Sequence, residues 1–155
     1  MVFMLLRPVK VSASENPFND NIAFGGAMNY IHRTMEARKD DVNLLARLIQ
    51  AEAGSDYVTD RCKYLVGAVV LNRVDDPDFP DTVEGVIFQK GQYATAKYLH
   101  NIEPTKDVWL TAAELILWGC EDTPPDLVYQ ANFKQGSEVW EVDQTQWYTM
   151  YFCLK

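Results

Sequence analysis

The sequence predicts an α+β domain, mostly helical, in which the helices come first and a small antiparallel sheet follows at the C-terminal end. Apolar residues recur at helical spacing as far as residue 118, and the adjacent prolines Pro124 and Pro125 then end the helical part. Three short segments rich in β-branched and aromatic residues follow the prolines. With 155 residues, 48% of them hydrophobic, the chain is long enough to bury the core of one domain.

The chain is expected to begin with a leader and to continue as a single domain. Residues 1–21 mix Pro, Ser, Asn and Asp without periodicity, which predicts an extended or disordered segment before a domain over residues 22–155. The first residues lack the charged start and the long apolar stretch of a signal peptide. A short helix is expected after Gly25–Gly26, and the longest apolar run, residues 65–71, is too short to span a membrane.

The helix that should end near Gly54 carries the most informative residue of the chain. Its apolar face is formed by four residues at helical spacing, Leu44, Leu45, Leu48 and Ile49. Glu52 continues that face between two alanines, and Asp40 or Asp41 is expected to cap the helix. A carboxyl on an apolar face is costly in its charged form, which suits a group that must hold and release a proton. The alternative is a glutamate that turns back to solvent at the helix end.

The next helix is predicted over residues 61–74, with Asp60 as its cap. It is apolar nearly all round, which predicts the central buried helix, although its valines also allow a strand. After a proline loop, a short helix should open at Asp81 or Thr82 and run to Phe88.

Residues 91–98 are expected to be irregular, and another helix should start at Pro104–Thr105 and stop at Gly119. The three predicted strands cover residues 127–133, 138–142 and 146–154.

The charge of the chain argues against some partners. Fourteen basic and 22 acidic residues give a net charge of −8. Nucleic-acid binding depends on clustered Lys and Arg, so it is not expected, and neither is electrostatic adhesion to anionic membranes or wall polymers. Recognition of a ligand would then rest on aromatic rings and neutral hydrogen bonds.

No metal site or cofactor is expected. The three cysteines, Cys62, Cys120 and Cys153, have no close spacing, and only His32 and His100 could join them as nitrogen ligands. Three reduced thiols are expected rather than a disulfide with one free thiol.

Several short motifs occur in an order that resembles the SleB family of cell-wall hydrolases, the spore-cortex-lytic enzymes and their relatives. The motifs are Ala51-Glu52-Ala53, the run from Val66 to Val74 with Asn72-Arg73, the proline loop from Pro77 to Val83, Gly85 to Phe88, Gly91-Gln92-Tyr93, Val128 to Phe133 and Tyr151 to Cys153. The likeness covers about residues 41–153. The chain departs from the family at Gly54-Ser55-Asp56, where many relatives carry Gly-Glu, and at Tyr93, where Phe is common.

This resemblance implies a lysozyme-like domain that cuts the glycan strand of peptidoglycan, in the cell wall or the spore cortex, with Glu52 as catalytic acid. A phage-type relative would stay in the cytoplasm until lysis. The resemblance also makes Gln92, Tyr93 and Asn72 candidates for substrate binding. Their alternative roles are structural, as a loop anchor for Gln92 and Tyr93 and as a helix-end residue for Asn72. Oligomeric state is left open.

A single well-placed acid favours a lytic transglycosylase, which forms 1,6-anhydromuramic acid ends, over a hydrolase that needs a second carboxylate. Asp56, Asp60 and Glu84 are the weaker candidates for a second acid. Two other functions stay open: a non-catalytic glycan-binding or structural lysis protein, and a peptidase with Cys62 as nucleophile and His100 as base. In the peptidase, a helix start with Arg61 and Lys63 would lower the pKa of the thiol, and Asp60 would raise it.

Overall fold

The computed structural model describes residues 21–155, with side chains from residue 25 onward. The predicted leader therefore lies outside the described residues, apart from Asn21. The helices are α1 (Asn21–Ala37), α2 (Lys39–Ala53), α3 (Asp60–Asp75), α4 (Val83–Ile87), a 3₁₀ helix (Ala96–Asn101) and α5 (Lys106–Trp118). The strands are β1 (Leu127–Ala131), β2 (Val139–Gln144) and β3 (Thr149–Leu154). The α+β prediction is confirmed.

The central helix of the fold is α3, as its apolar sequence predicts. Nine of its 16 residues are buried, and it packs against α2, α5 and β1. Glycine at position 67 allows the close approach, because a Cβ there would lie 2.4 Å from Leu115 Cδ1 and 3.0 Å from Ile49 Cδ1. The strand alternative for this segment is wrong. The segment is a helix that packs between α2 and α5, which buries its apolar residues on all sides.

The predicted caps are wrong by two or three positions for α2 and by one position for α3. Arg38 precedes α2 without a side-chain cap, and Asp40 and Asp41 lie inside the first turn. Thr59 caps α3 with its hydroxyl, so Asp60 is the first residue within that helix. An acidic residue in the first turn still stabilises a helix through the helix dipole, which explains why the aspartates stand so close to the true caps.

Other boundaries differ modestly from prediction. Helix α1 runs through Gly25–Gly26 instead of starting after them. Thr82, one of two predicted caps, accepts a hydrogen bond from the Gly85 N–H at 3.0 Å. The segment expected to be irregular contains the start of the 3₁₀ helix, and α5 ends before Gly119, where φ is +79°.

The sheet is antiparallel throughout and has the order β1-β3-β2. The last strand thus lies in the middle, and β1 faces α3. Strands β1 and β3 are shorter than predicted, and β2 is one residue longer. β3 begins later than expected because residues 145–148 form a turn in which the Thr145 N–H donates to the Tyr148 carbonyl at 3.0 Å. No helix among residues 21–155 is both long and apolar enough to cross a membrane.

Candidate active site around Glu52

Glu52 lies in the last turn of α2, two residues before the helix-ending Gly54. Its side chain is half-buried, as expected for a residue that continues an apolar face at the edge of the core. The Thr95 hydroxyl, 43 residues further along the chain, donates a hydrogen bond to Glu52 Oε1. One carboxylate oxygen is therefore held by the segment that leads into the 3₁₀ helix.

The end of α2 is held in place by Gln50. Its amide Nε2 donates to the Gly54 carbonyl at 3.1 Å, and its Oε1 accepts from the Thr105 N–H at 2.9 Å and from the Thr105 hydroxyl at 3.1 Å. A Cβ at position 54 would lie 2.3 Å from the Gln50 carbonyl oxygen, which only glycine avoids. The last turn of α2, and Glu52 with it, is thus fastened to the start of α5.

Tyr93 is buried beside a buried arginine. The Arg73 guanidinium donates to the Tyr93 hydroxyl at 3.4 Å and to the Val128 carbonyl at 2.7 Å. It also lies over the rings of Phe79 and Tyr93, at 5.2 and 5.6 Å from their centroids. Burial raises the pKa of Tyr93 to about 12, and the negative charge of Glu52 acts in the same direction. Tyr93 therefore stays protonated near the candidate acid, and its buried ring favours the loop-anchor alternative over sugar stacking.

Asn72 is buried, and its amide is occupied by the protein itself. Nδ2 donates to the carbonyls of Pro124 and Leu127 at 2.9 and 3.0 Å, and Oδ1 accepts from the Cys120 thiol at 3.1 Å. The side chain joins α3 to the chain that leads into β1. These contacts favour the structural alternative for Asn72.

Gln92 is exposed, and its backbone N–H donates to the Gln89 carbonyl at 3.1 Å. Gly91, with φ +86°, turns the chain immediately before it. The segment from residue 91 to residue 95 thus presents an exposed amide, a buried ring and the hydroxyl that binds Glu52. The sequence does not predict Thr95 as a site residue, because its partner Glu52 lies 43 residues away in the chain. Its only local signal is a hydroxyl close to Gln92 and Tyr93.

One protein family matches more than half of the chain. The sequence profile described as Cell Wall Hydrolase matches residues 59–152, more than half of the 155-residue chain. The chain belongs to the cell wall hydrolase family. This membership confirms the resemblance to SleB-type enzymes. Residue 52 lies before the matched segment, whereas positions 72, 92, 93 and 95 lie within it.

One curated relative of this family member is the spore cortex-lytic enzyme of Halalkalibacterium halodurans. The two sequences are 45% identical over 51 residues, which are 32% of this chain and 14% of the relative. The match therefore spans about one seventh of that relative's length. No solved structure gives a significant match.

The candidate second acids have different surroundings from Glu52. Asp56, Asp60 and Glu84 are exposed, and Asp60 pairs with Lys63 at 3.0 Å. Among the side chains that the structure describes, none of these three carboxylates shares a hydrogen-bond partner with Glu52.

The structure argues against a reactive thiol at Cys62, the nucleophile of the peptidase alternative. Cys62 is fully buried, and burial, followed by the negative charge of Asp143, raises its pKa to about 12. Its position near a helix start and beside Arg61 does not overcome this cost. All three cysteines are free. A buried thiol with a raised pKa is a poor nucleophile, which argues against the peptidase alternative for this cell wall hydrolase family member.

Glu52 does not line either of two surface concavities of the domain. One, of about 430 Å³, is lined by Asn43, Arg47, Glu103, Pro104, Lys106 and Trp109. The other, of about 380 Å³, is lined by Tyr64, Glu114, Trp118, Gly119, Glu121 and Asp122. In the described part of the chain, no three His, Cys, Asp or Glu side chains are grouped so that they could hold a metal ion.

Proposed function

We propose that this member of the cell wall hydrolase family cleaves the glycan strand of peptidoglycan, with Glu52 as the general acid. The observation that carries the proposal is the position of Glu52: a half-buried carboxyl at the end of α2, held through one oxygen by Thr95. Partial burial gives a carboxyl access to substrate and keeps it from being fully solvated, which is the environment of a proton donor to a glycosidic oxygen. The family of the chain and its spore cortex-lytic relative support peptidoglycan as the substrate and the cell wall or the spore cortex as the proposed place of action.

The proposed reaction begins with proton transfer from Glu52 to the oxygen that links two sugars. The bond between the anomeric carbon and that oxygen breaks, its electron pair stays with the leaving oxygen, and positive charge develops on the anomeric carbon. Glu52 is now a carboxylate beside this charge. It can take the proton of the 6-hydroxyl of the same sugar, whose oxygen then bonds to the anomeric carbon.

This sequence of steps gives a 1,6-anhydromuramic acid end and makes the enzyme a lytic transglycosylase. The exposure of Asp56 and Glu84, and the pairing of Asp60 with Lys63, support a mechanism with one acid. The exposed amide of Gln92 is proposed to bind sugar hydroxyl or N-acetyl groups, because an amide both donates and accepts hydrogen bonds. We assign Asn72 and Tyr93 to holding the loops around the site.

The test is Glu52→Gln, which keeps the shape of the side chain and removes its transferable proton. Cleavage of purified peptidoglycan should fall by at least about 100-fold, the lower range for a general acid, while thermal unfolding stays near that of the wild type. Asp56→Asn is the matched control and should keep its activity. A folded Glu52→Gln variant that still cleaves would remove Glu52 from the mechanism.

The product distinguishes the two mechanisms. Anhydro ends resist borohydride reduction and are lighter by one water than hydrolytic ends, which mass spectrometry separates. Reducible ends throughout would mean that water attacks and that a second acid takes part. Binding of peptidoglycan without any cleavage would support the non-catalytic glycan-binding alternative.

A further inference from the structure

Two large aromatic side chains meet on the surface at the end of α2. Tyr57 is 63% exposed and Trp147 is 68% exposed, and their ring centroids lie 5.7 Å apart with an angle of 49° between the ring planes. Tyr57 belongs to the α2–α3 loop, residues 54–59, and Trp147 to the turn between β2 and β3. We call this pair the aromatic platform. Because the two rings are in contact, they form a contiguous apolar patch, the kind of surface at which ligand-binding sites are found.

A polar cluster around the buried Asp143 holds the two loops of the platform together. Asp143, which is buried, accepts hydrogen bonds from the hydroxyls of Thr59 and Tyr148. The Thr59 N–H also donates to the Tyr148 hydroxyl at 3.3 Å. Thr59 ends the loop of Tyr57, and Tyr148 follows Trp147 directly. The rings are therefore presented by loops that are cross-linked beneath them, so that little conformational freedom is lost on binding.

The platform lies at the same end of α2 as Glu52. The α2–α3 loop begins two residues after Glu52, and Tyr57 follows Glu52 by five residues. Five residues of chain span at most about 18 Å, and a turn between Ser55 and Val58, with a hydrogen bond of 2.9 Å, shortens this path. A ligand only a few sugar rings long would reach from the carboxyl to the platform.

The size of the platform decides between classes of ligand. Two aromatic side chains offer at most roughly 300–500 Å² even when fully exposed, whereas a stable protein interface covers about 800 Å² on each partner. The platform is thus too small for a protein partner and suits a narrow, extended one. The apolar C–H face of a pyranose ring packs against an aromatic ring, and neutral stacking suits a chain of net charge −8.

We propose that the aromatic platform is a sugar-stacking subsite for the glycan strand of peptidoglycan, beside the site of Glu52. The inference rests on the proposed function for its ligand. It predicts uniform binding: the platform holds the strand equally in the ground state and the transition state, so that losing it raises KM and leaves kcat unchanged.

The test measures co-sedimentation with insoluble peptidoglycan in the Glu52→Gln background, so that binding is read without cleavage. Trp147→Ala and Tyr57→Ala should each weaken binding by roughly three- to tenfold, the range for one aromatic contact, and the double variant by more. Trp147→Phe should keep most of the affinity. Trp118→Ala, which removes an exposed ring from α5 (47% exposed), is the matched control and should bind within about twofold of its parent.

Unchanged binding by the folded double variant would overturn the proposal. So would a fall in kcat at constant KM when the same substitutions are made in the active enzyme, because that would indicate a structural effect on the site. The proposed function fails separately, if Glu52→Gln still cleaves; the KM values of the platform variants in the active enzyme would then still report on the platform.

Discussion

Replacing Asn72 with Asp should destabilise the fold rather than weaken substrate binding. The substitution keeps the shape of the side chain but places an oxygen where Nδ2 now donates to two carbonyls, those of Pro124 and Leu127. Both hydrogen bonds are lost, and the carbonyl oxygens of Pro124 and Leu127 then face a carboxyl oxygen that also only accepts. Each net hydrogen bond is worth about 0.5–1.5 kcal/mol, and each stranded buried acceptor costs about 1–3 kcal/mol.

Because these terms overlap, they cannot be added in full, and we expect the free energy of unfolding to fall by at least about 3 kcal/mol. The melting temperature should then fall by roughly 6–12 °C. Such a loss is a large part of the free energy of unfolding of a typical domain, which is about 5–15 kcal/mol. The new carboxyl, buried among oxygens, would have a raised pKa in the folded state. The penalty would therefore be full at pH 7 and would shrink as the pH falls and the carboxyl is protonated.

The assay is urea and thermal unfolding at pH 7 and pH 4, followed by circular dichroism. Asn132→Asp makes the same chemical change on an exposed residue after β1 and should change the free energy of unfolding by less than about 0.5 kcal/mol. An Asn72→Asp variant as stable as the wild type, with only weaker binding of peptidoglycan, would refute the structural role and return this residue to the substrate site.

Three further predictions follow from single contacts. Thr95→Val should lower kcat by roughly tenfold or more, because it removes the hydrogen bond that positions Glu52, whereas Thr95→Ser should keep most of the rate; equal rates for both would mean that the hydroxyl has no part in positioning. Iodoacetamide at pH 7.5 should leave Cys62 unmodified, since burial raises the pKa of its thiol to about 12; mass spectrometry of the labelled native protein gives the answer, and rapid labelling at this position would contradict the burial. The neighbouring Thr105 side chain and the Lys63 ammonium, which donates to Asp107 at 3.0 Å, lower the pKa of Asp107 to about 2, so its contribution to stability is present above about pH 4 and is lost as the pH falls toward 2. Urea unfolding between pH 6 and pH 2.5 should show a weaker pH dependence for Asp107→Asn, and identical slopes would count against this account.

The helical core was predictable because its sequence signal is local. The residues of α3 are apolar on every side, and only a helix packed between other elements satisfies such a pattern. Its cap was not predictable to the residue, because Thr59 and Asp60 both favour cap positions and the backbone decides between them. In the structure Thr59 has the extended conformation (φ −70°, ψ 155°) that a cap requires.

The candidate site was predictable only in part, for a related reason. The position of Glu52 on the apolar face of α2 follows from residue spacing along one helix, so it could be predicted from the sequence. The contact from Thr95 to Glu52 and that from Arg73 to Tyr93 join residues 43 and 20 positions apart, and no periodicity reports such pairs. The aromatic platform joins residues 90 positions apart and needed the packing of a hairpin against a helix start.

The order of the sheet has a consequence for how the chain folds as it is synthesised. Strands β1 and β2 do not pair with each other; both pair with β3, which ends at Leu154. Until that segment emerges from the ribosome, β1 and β2 expose unpaired edges, although the helices before them can already assemble. The turn of Trp147 lies between β2 and β3, so one half of the aromatic platform takes its place only when β3 pairs with β2. A ribosome stalled just before β3 should therefore hold a helical, sheet-less intermediate that is prone to edge-to-edge association.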